Sequence, residues 1–320
     1  MSPRLETIEQ WVAMLREADL PVLGHTVGEL QRLQADEDGT TPQHIATVVL
    51  HDPFMTVKVL QFLQSNRSQR RSAEITTIAH ALMMLGLSPF FGHFGVQPAI
   101  EDWLAADEAS LHGARAVMSR ARHAALYARD WAQLRHDVDP EEVMVAALLH
   151  DMAEMLLWCY APRLAREIVE RQHHDRTLRS ERAQREVIGF RLIDLQLAMV
   201  KAWRMPELLH VLLDEDHARN PRVTNVALAA AVARHSAHGW DDSALPDDYE
   251  AIGKLLGMSA EAAQARVVDV ALKAAADADW YGVVPAAALL PPSPVAEIAA
   301  AADPAAGAAA IAANPPPSNQ

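Results

Sequence analysis

The sequence predicts an all-α protein, a multi-helix bundle of two packed subdomains. Three observations carry that expectation. The 320 residues are 50% hydrophobic, much of it Ala and Leu, yet only 5% aromatic and with 13 glycines, a composition that favours helices over sheets. Apolar residues recur at three- and four-residue spacing, and no strand-like alternation competes with them. Cap-and-proline pairs recur as well: Thr41-Pro42, Asp52-Pro53 and Asp139-Pro140 each place an N-cap before proline at the first helical position.

In chain order, residues 1–20 form an amphipathic helical lead, and recurrent helix signals begin near Thr26. Thr41-Pro42 opens a helix that continues through 45–50. Asp52-Pro53 opens the next, with Val57, Leu60 and Leu63 at helical spacing. The segment 66–72, NRSQRRS, then breaks the pattern as a basic loop. A solvated loop is its plain reading, and Arg67, Arg70 and Arg71 are its candidate contacts to an anionic ligand. Ile75, Ile78, Leu82 and Leu85 make a stripe that ends at Gly86, a residue suited to a helix C-terminus, and a further helix is expected over 89–104. The small, polar and acidic stretch 105–113, AADEASLHG, is the expected junction between an N-terminal helical subdomain, 21–105, and a second one, 113–235. In that second part a helix is expected over 120–131, and Asp139-Pro140-Glu141-Glu142 supplies cap, proline and capping-box glutamate ahead of an apolar helix, 143–158. Pro162 opens a charged helix whose Arg and Glu read as a solvated face, Pro206 opens another, and 223–235 is a buried Ala/Val helix. A C-terminal helical extension, 236–284, contains a last amphipathic helix capped by Ser259. From Pro285 to Gln320 the chain is rich in Pro and Ala, without an amphipathic stripe, and is expected to be disordered.

The functional question centres on 143–158, VMVAALLHDMAEMLLW, where only His150, Asp151 and Glu154 are polar. Their spacing puts all three on one side of an otherwise dry helix, and buried polar groups need partners. The plain reading gives His150 a carbonyl and Asp151 amide donors. His-Asp also occurs at 51–52, 136–137 and 174–175, but there Asp52 is a helix cap and the other two copies lie in charged stretches.

Net charge and cysteine content narrow the classes. With a net charge of −14 the chain lacks the basic footprint of non-specific nucleic-acid binding. Its one cysteine, Cys159, allows neither a disulfide framework nor a thiolate metal cluster and fits a reducing cytoplasm. The start, MSPRLETIEQ, is broken by charges and lacks a signal-peptide core. No uninterrupted apolar run is long enough to span a bilayer, so a cytoplasmic protein without a membrane partner is expected, with homo-oligomer formation open.

Three segments in order, LPVLGHTVGELQRLQ, HDPFMTVKVLQFLQSN and ITTIAHALMMLGL, resemble the HDOD domain. The following half, with His123, His150-Asp151 and RMPELLHVLLDEDHA, is similar to the HD-type helical core, and the resemblance runs from about Leu20 to His235. It implies a bacterial signalling or regulatory module, related to HD phosphohydrolases, that acts on other signalling proteins. HD enzymes place a histidine, the His-Asp pair and a final aspartate around a divalent metal that positions water and phosphate. The resemblance carries this pattern onto His123, His150 and Asp151 as a degenerate metal site. The final aspartate falls in NVALAAAVAR, at Ala230, where there is no carboxylate. Glu154 stands where the cyclic-dinucleotide phosphodiesterase branch usually has lysine, and Leu192 and Asp216 stand at positions of further ligand histidines. The leading expectation is therefore a non-catalytic module without a cofactor. One alternative is a phosphohydrolase acting on a nucleotide or cyclic dinucleotide, its divalent metal held weakly by the three residues. Another is a pseudoenzyme that senses an anionic ligand.

Overall fold

The structure, a computed structural model, describes residues 5–65, 77–136, 139–175, 177–217 and 219–291. Among these residues the regular structure is helical, with a single isolated parallel bridge between Val22 and Ala99. The first part carries α1 (Ile8–Leu15), α2 (Gly24–Ala35), α3 (Pro42–Val49), α4 (Pro53–Ser65), α5 (Ile78–Leu85), α6 (Leu87–Phe94) and α7 (Ile100–Trp103). Then come α8 (Glu108–Arg135), α9 (Pro140–Leu149), α10 (Met152–Tyr160), α11 (Pro162–His174), α12 (Ser180–Ile188), α13 (Leu192–Ala202), α14 (Glu207–Leu213) and α15 (Pro221–His235). The chain continues through α16 (Leu245–Leu256), α17 (Ala260–Ala274) and α18 (Ala278–Tyr281), with a 3-10 turn at Ala286–Leu289.

The caps work as their residue types require. Thr41 accepts the His44 N–H at the start of α3. Asp52 is fully buried and bridges two elements, accepting from Met55 N at 3.0 Å in the first turn of α4 and from Leu23 N at 2.7 Å ahead of α2. Asp139 caps α9 through Glu141 N at 2.9 Å. The expected capping box is absent there. Glu141, one residue before the capping-box position, reaches across to α5, where its Oε1 accepts from Ile78 N at 2.5 Å and Ala79 N at 3.1 Å. A carboxylate among the orphan amides of a helix start is favoured whether the helix is its own or a neighbour's.

The 28-residue α8 is the spine of the second part and packs against α9, α10, α15 and α17. Its start lies inside the stretch 105–113. Asp107 accepts Ser110 N at 3.1 Å and opens the helix at Glu108, so the small polar residues are its first turns. The helix expected over 89–104 is two helices, because Gly95 and Pro98 leave an extended step at which Val22 N donates to Pro98 O and Ile100 N to Val22 O.

The C-terminal extension is fastened to the first part of the chain. Asp277 accepts from Arg122 Nε at 2.9 Å and lies 3.2 Å from His51 Nε2. Trp280 stacks on His51 with ring centroids 4.2 Å apart, and the buried Tyr281 hydroxyl donates to His51 O at 2.7 Å. Order persists past Pro285, which corrects the start of the expected disordered tail. Ala286 is buried and its carbonyl accepts the Trp240 indole N–H at 2.8 Å, a docking that composition alone does not reveal. Residues 292–320 lie outside the described residues. The stretch 140–160 is also long and apolar enough to cross a bilayer by length and composition, contrary to the expectation, and 83% of its window is buried inside the fold.

Candidate functional site

The apolar helix expected over 143–158 is broken at its His-Asp pair, with α9 ending at Leu149 and α10 starting at Met152. The cause is a side chain inserted into the helical ladder. In an unbroken helix Ala153 N would donate to Leu149 O. Here the buried Gln196 amide from α13 occupies that bond: its Oε1 accepts Ala153 N at 2.8 Å and its Nε2 donates to Leu149 O at 2.6 Å. The backbone stays satisfied while Asp151, at φ −101° and ψ 22°, leaves the helical repeat and His150 keeps helical dihedrals.

Asp151 enters a four-membered ion cluster. Its Oδ2 accepts from Arg120 Nε at 3.1 Å and Nη2 at 2.8 Å, and its Oδ1 from His150 Nδ1 at 2.9 Å and Arg234 Nη2 at 3.2 Å. Arg120 Nη2 also donates to Glu154 Oε2 at 2.6 Å. Two arginines thus face two carboxylates. Burial alone would raise the Asp151 pKa, but Arg120, then Arg234 and His150, overcome it and hold the carboxyl well below the usual range. Burial disfavours charge on Arg120 as well, and Glu154 and Asp151 outweigh it, so the guanidinium stays charged.

The residues carried over as a metal site are not brought to one point. His150 and Asp151 line a small cleft with Arg234, Ser180 and Leu192, whereas His123 lines a larger cavity with Arg120, and Glu154 borders both. His123 is buried, its Nδ1 donates to Ser119 O at 2.9 Å, and burial lowers its pKa. Ala230 is buried on α15, and one turn later Arg234 reaches Asp151 from the same helix. Among the described residues no three of His, Cys, Asp and Glu gather so as to hold a metal ion. Arg120 places a positive charge of the protein's own against Asp151 and Glu154. Glu154 is therefore not an unpaired acid. Arg67, Arg70 and Arg71, the candidate anion contacts, lie outside the described residues.

Sequence reasoning missed Arg120, Arg234 and Gln196. The first had a signal. An acid on the dry face of an apolar helix demands a cation, and Arg120 lies three residues before His123, hence on the same side of α8. Gln196 carries no local signal, since its partners are more than 40 residues away.

The HDOD domain model matches residues 20–219 of the chain. Two solved structures show the same fold. The MmoQ response regulator from Methylococcus capsulatus str. Bath is 19% identical, covers 79% of this chain and 98% of its own, and superposes with a TM-score of 0.58. A virulence factor from Campylobacter jejuni subsp. jejuni is 17% identical, covers 84% of this chain and 100% of its own, with a TM-score of 0.56. No curated protein matches the sequence.

Proposed function

The chain belongs to the HDOD family, and from that premise we propose that it is a cytoplasmic signal-transduction module that hydrolyses no phosphodiester and acts by contact with other signalling proteins. The observation that carries the non-catalytic reading is the Arg120 guanidinium, which donates twice to Asp151 and once to Glu154. A divalent cation at Asp151 would have to displace a charged group already held by bonds of the strong, charge-assisted kind. It would also raise a balanced cluster to a net charge of two in a half-dry site. Ala230 supplies no closing carboxylate. The signalling role is supported by family membership, and the response-regulator description of the Methylococcus neighbour agrees with it.

The test is elemental analysis of protein purified without chelator, together with turnover on cyclic and linear dinucleotides. Substoichiometric metal and no enzymatic turnover are expected. One divalent metal per chain with turnover would refute the proposal.

A further inference from the structure

The larger cavity encloses about 470 Å³, within the roughly 300–1,000 Å³ that small-molecule sites occupy. Elements far apart in sequence build it: the first half of α8, Trp158 of α10, Val169 of α11, and the C-terminal segment with Val284 and Leu289. The wall on α8 depends on a glycine. A Cβ on Gly113 would lie 2.6 Å from Trp158 Cη2, so only glycine lets the indole lie flat against the helix. The opposite wall is held by the Trp240 bond to Ala286 O.

Polar groups enter this apolar space at one end, where Arg120, Glu154, His123, His173 and His238 line it. The acid and the guanidinium among them are paired. Arg120 is balanced by Asp151 and Glu154. Burial, with Arg120 and His173 acting in the same direction, lowers the His238 pKa, and burial lowers that of His123, so both rings are neutral at neutral pH. An anion entering here meets the Glu154 carboxylate and a guanidinium already paired with two acids. Among the donors at this end, the guanidinium carries the fixed charge: Arg120 Nε and Nη2 are engaged, while Nη1 donates to no group among the described residues. A largely buried donor of this kind is completed by an acceptor. We propose that the cavity is an effector site for an uncharged, largely apolar small molecule whose carbonyl or similar neutral oxygen accepts from Arg120 Nη1. Phosphorylated ligands are disfavoured by the Glu154 carboxylate at the same end. This site goes beyond the signalling reading and does not depend on the absence of hydrolysis.

The probe is 6-propionyl-2-dimethylaminonaphthalene, an uncharged fluorophore with one ketone, titrated into the full-length protein. Saturable binding of one molecule per chain is expected, with emission shifted to the blue of its value in water. Ala116→Phe fills the cavity from α8, and Val284→Asp places a charge on its exposed rim, where folding is not at stake. Each should weaken binding by about tenfold or more. Met83→Gln, an exposed apolar residue outside the lining, should leave it unchanged. The anionic 8-anilinonaphthalene-1-sulfonate should bind at least about tenfold more weakly than the ketone. No saturable binding, binding indifferent to Val284→Asp, loss in Met83→Gln, or tighter binding of the sulfonate would each overturn the assignment. None of these results touches metal content or turnover, so failure here leaves the non-hydrolytic reading standing.

Discussion

Replacing Asp151 by alanine separates a structural ion cluster from a metal site. The carboxylate accepts four bonds, and its side chain and that of Arg120 are only 11% and 13% exposed. Removing one partner of a buried pair costs about 3–5 kcal/mol. The lower end applies, because Glu154 still holds Arg120 at 2.6 Å and Arg234 is 41% exposed. A loss of about 3 kcal/mol, at roughly 2 °C per kcal/mol for a chain of this size, lowers Tm by about 6 °C. The pH dependence has a definite sign. The folded carboxyl is depressed, so its stabilisation is complete above the unfolded pKa of about 3.9 and fades as pH falls further. The gap between wild type and Asp151→Ala is therefore full at neutral pH and closes in acid. Arg120→Ala should cost a similar amount, since it leaves two carboxylates without their shared cation. The double variant should lose less than the sum by more than about 1 kcal/mol. Melting curves of the four proteins supply the cycle. A shift under about 2 °C, strict additivity, or an Asp151→Ala protein more stable than wild type would refute the reasoning. The last result is what a strained, metal-free ligand carboxylate would give.

Gln196→Leu removes the amide that completes Leu149 O and Ala153 N, and at about 1–3 kcal/mol for each orphaned group it should cost roughly 2–4 kcal/mol in urea denaturation. A loss under about 1 kcal/mol would show that α9 and α10 close into one helix without it. Gly113→Ala, worth a gain of about 1 kcal/mol in an open helix, should instead destabilise by about 1–3 kcal/mol, because its Cβ overlaps the Trp158 ring; a higher Tm would contradict the packing described. For Asp277, burial is outweighed by His51 and Arg122, which hold its pKa down from 3.8 to about 2. That stability is present above the unfolded value and lost as pH falls toward 2, so Asp277→Asn should cost about 2 kcal/mol at pH 7 and flatten the acid limb of the stability curve.

The helical class was legible because its signals are local. Thr41, Asp52, Asp139 and Ser259 cap the helices that they were expected to cap, and Gly86 ends α5 with a positive φ. What failed locally failed because a long-range partner took over. Glu142 has the spacing of a capping-box residue, yet no box forms, and its neighbour Glu141 caps α5, more than 60 residues back. The stretch 105–113 has the composition of a linker, but Asp107, its third residue, starts the longest helix described. At the site, sequence supplied the His-Asp pair and the missing acid at Ala230. The kink and the arginine that fills the gap depend on α8, α13 and α15 meeting around α9 and α10, and no window of sequence contains that meeting.

The fastening of Asp277 and Tyr281 onto Arg122 and His51 has a kinetic side. These contacts join residues 155 and 230 positions apart, so they close last when the chain emerges from its N-terminus. At about 5–20 residues per second, the interval between synthesis of Arg122 and of Asp277 is roughly 8–30 s. Throughout it, the guanidinium on α8 has no carboxylate and the ring of His51 has no indole to stack on. The preceding helices can condense in that time, but their seam stays open. The molecule thus carries its own completion step, and a chain arrested before residue 277 remains unsealed however well its earlier helices have formed.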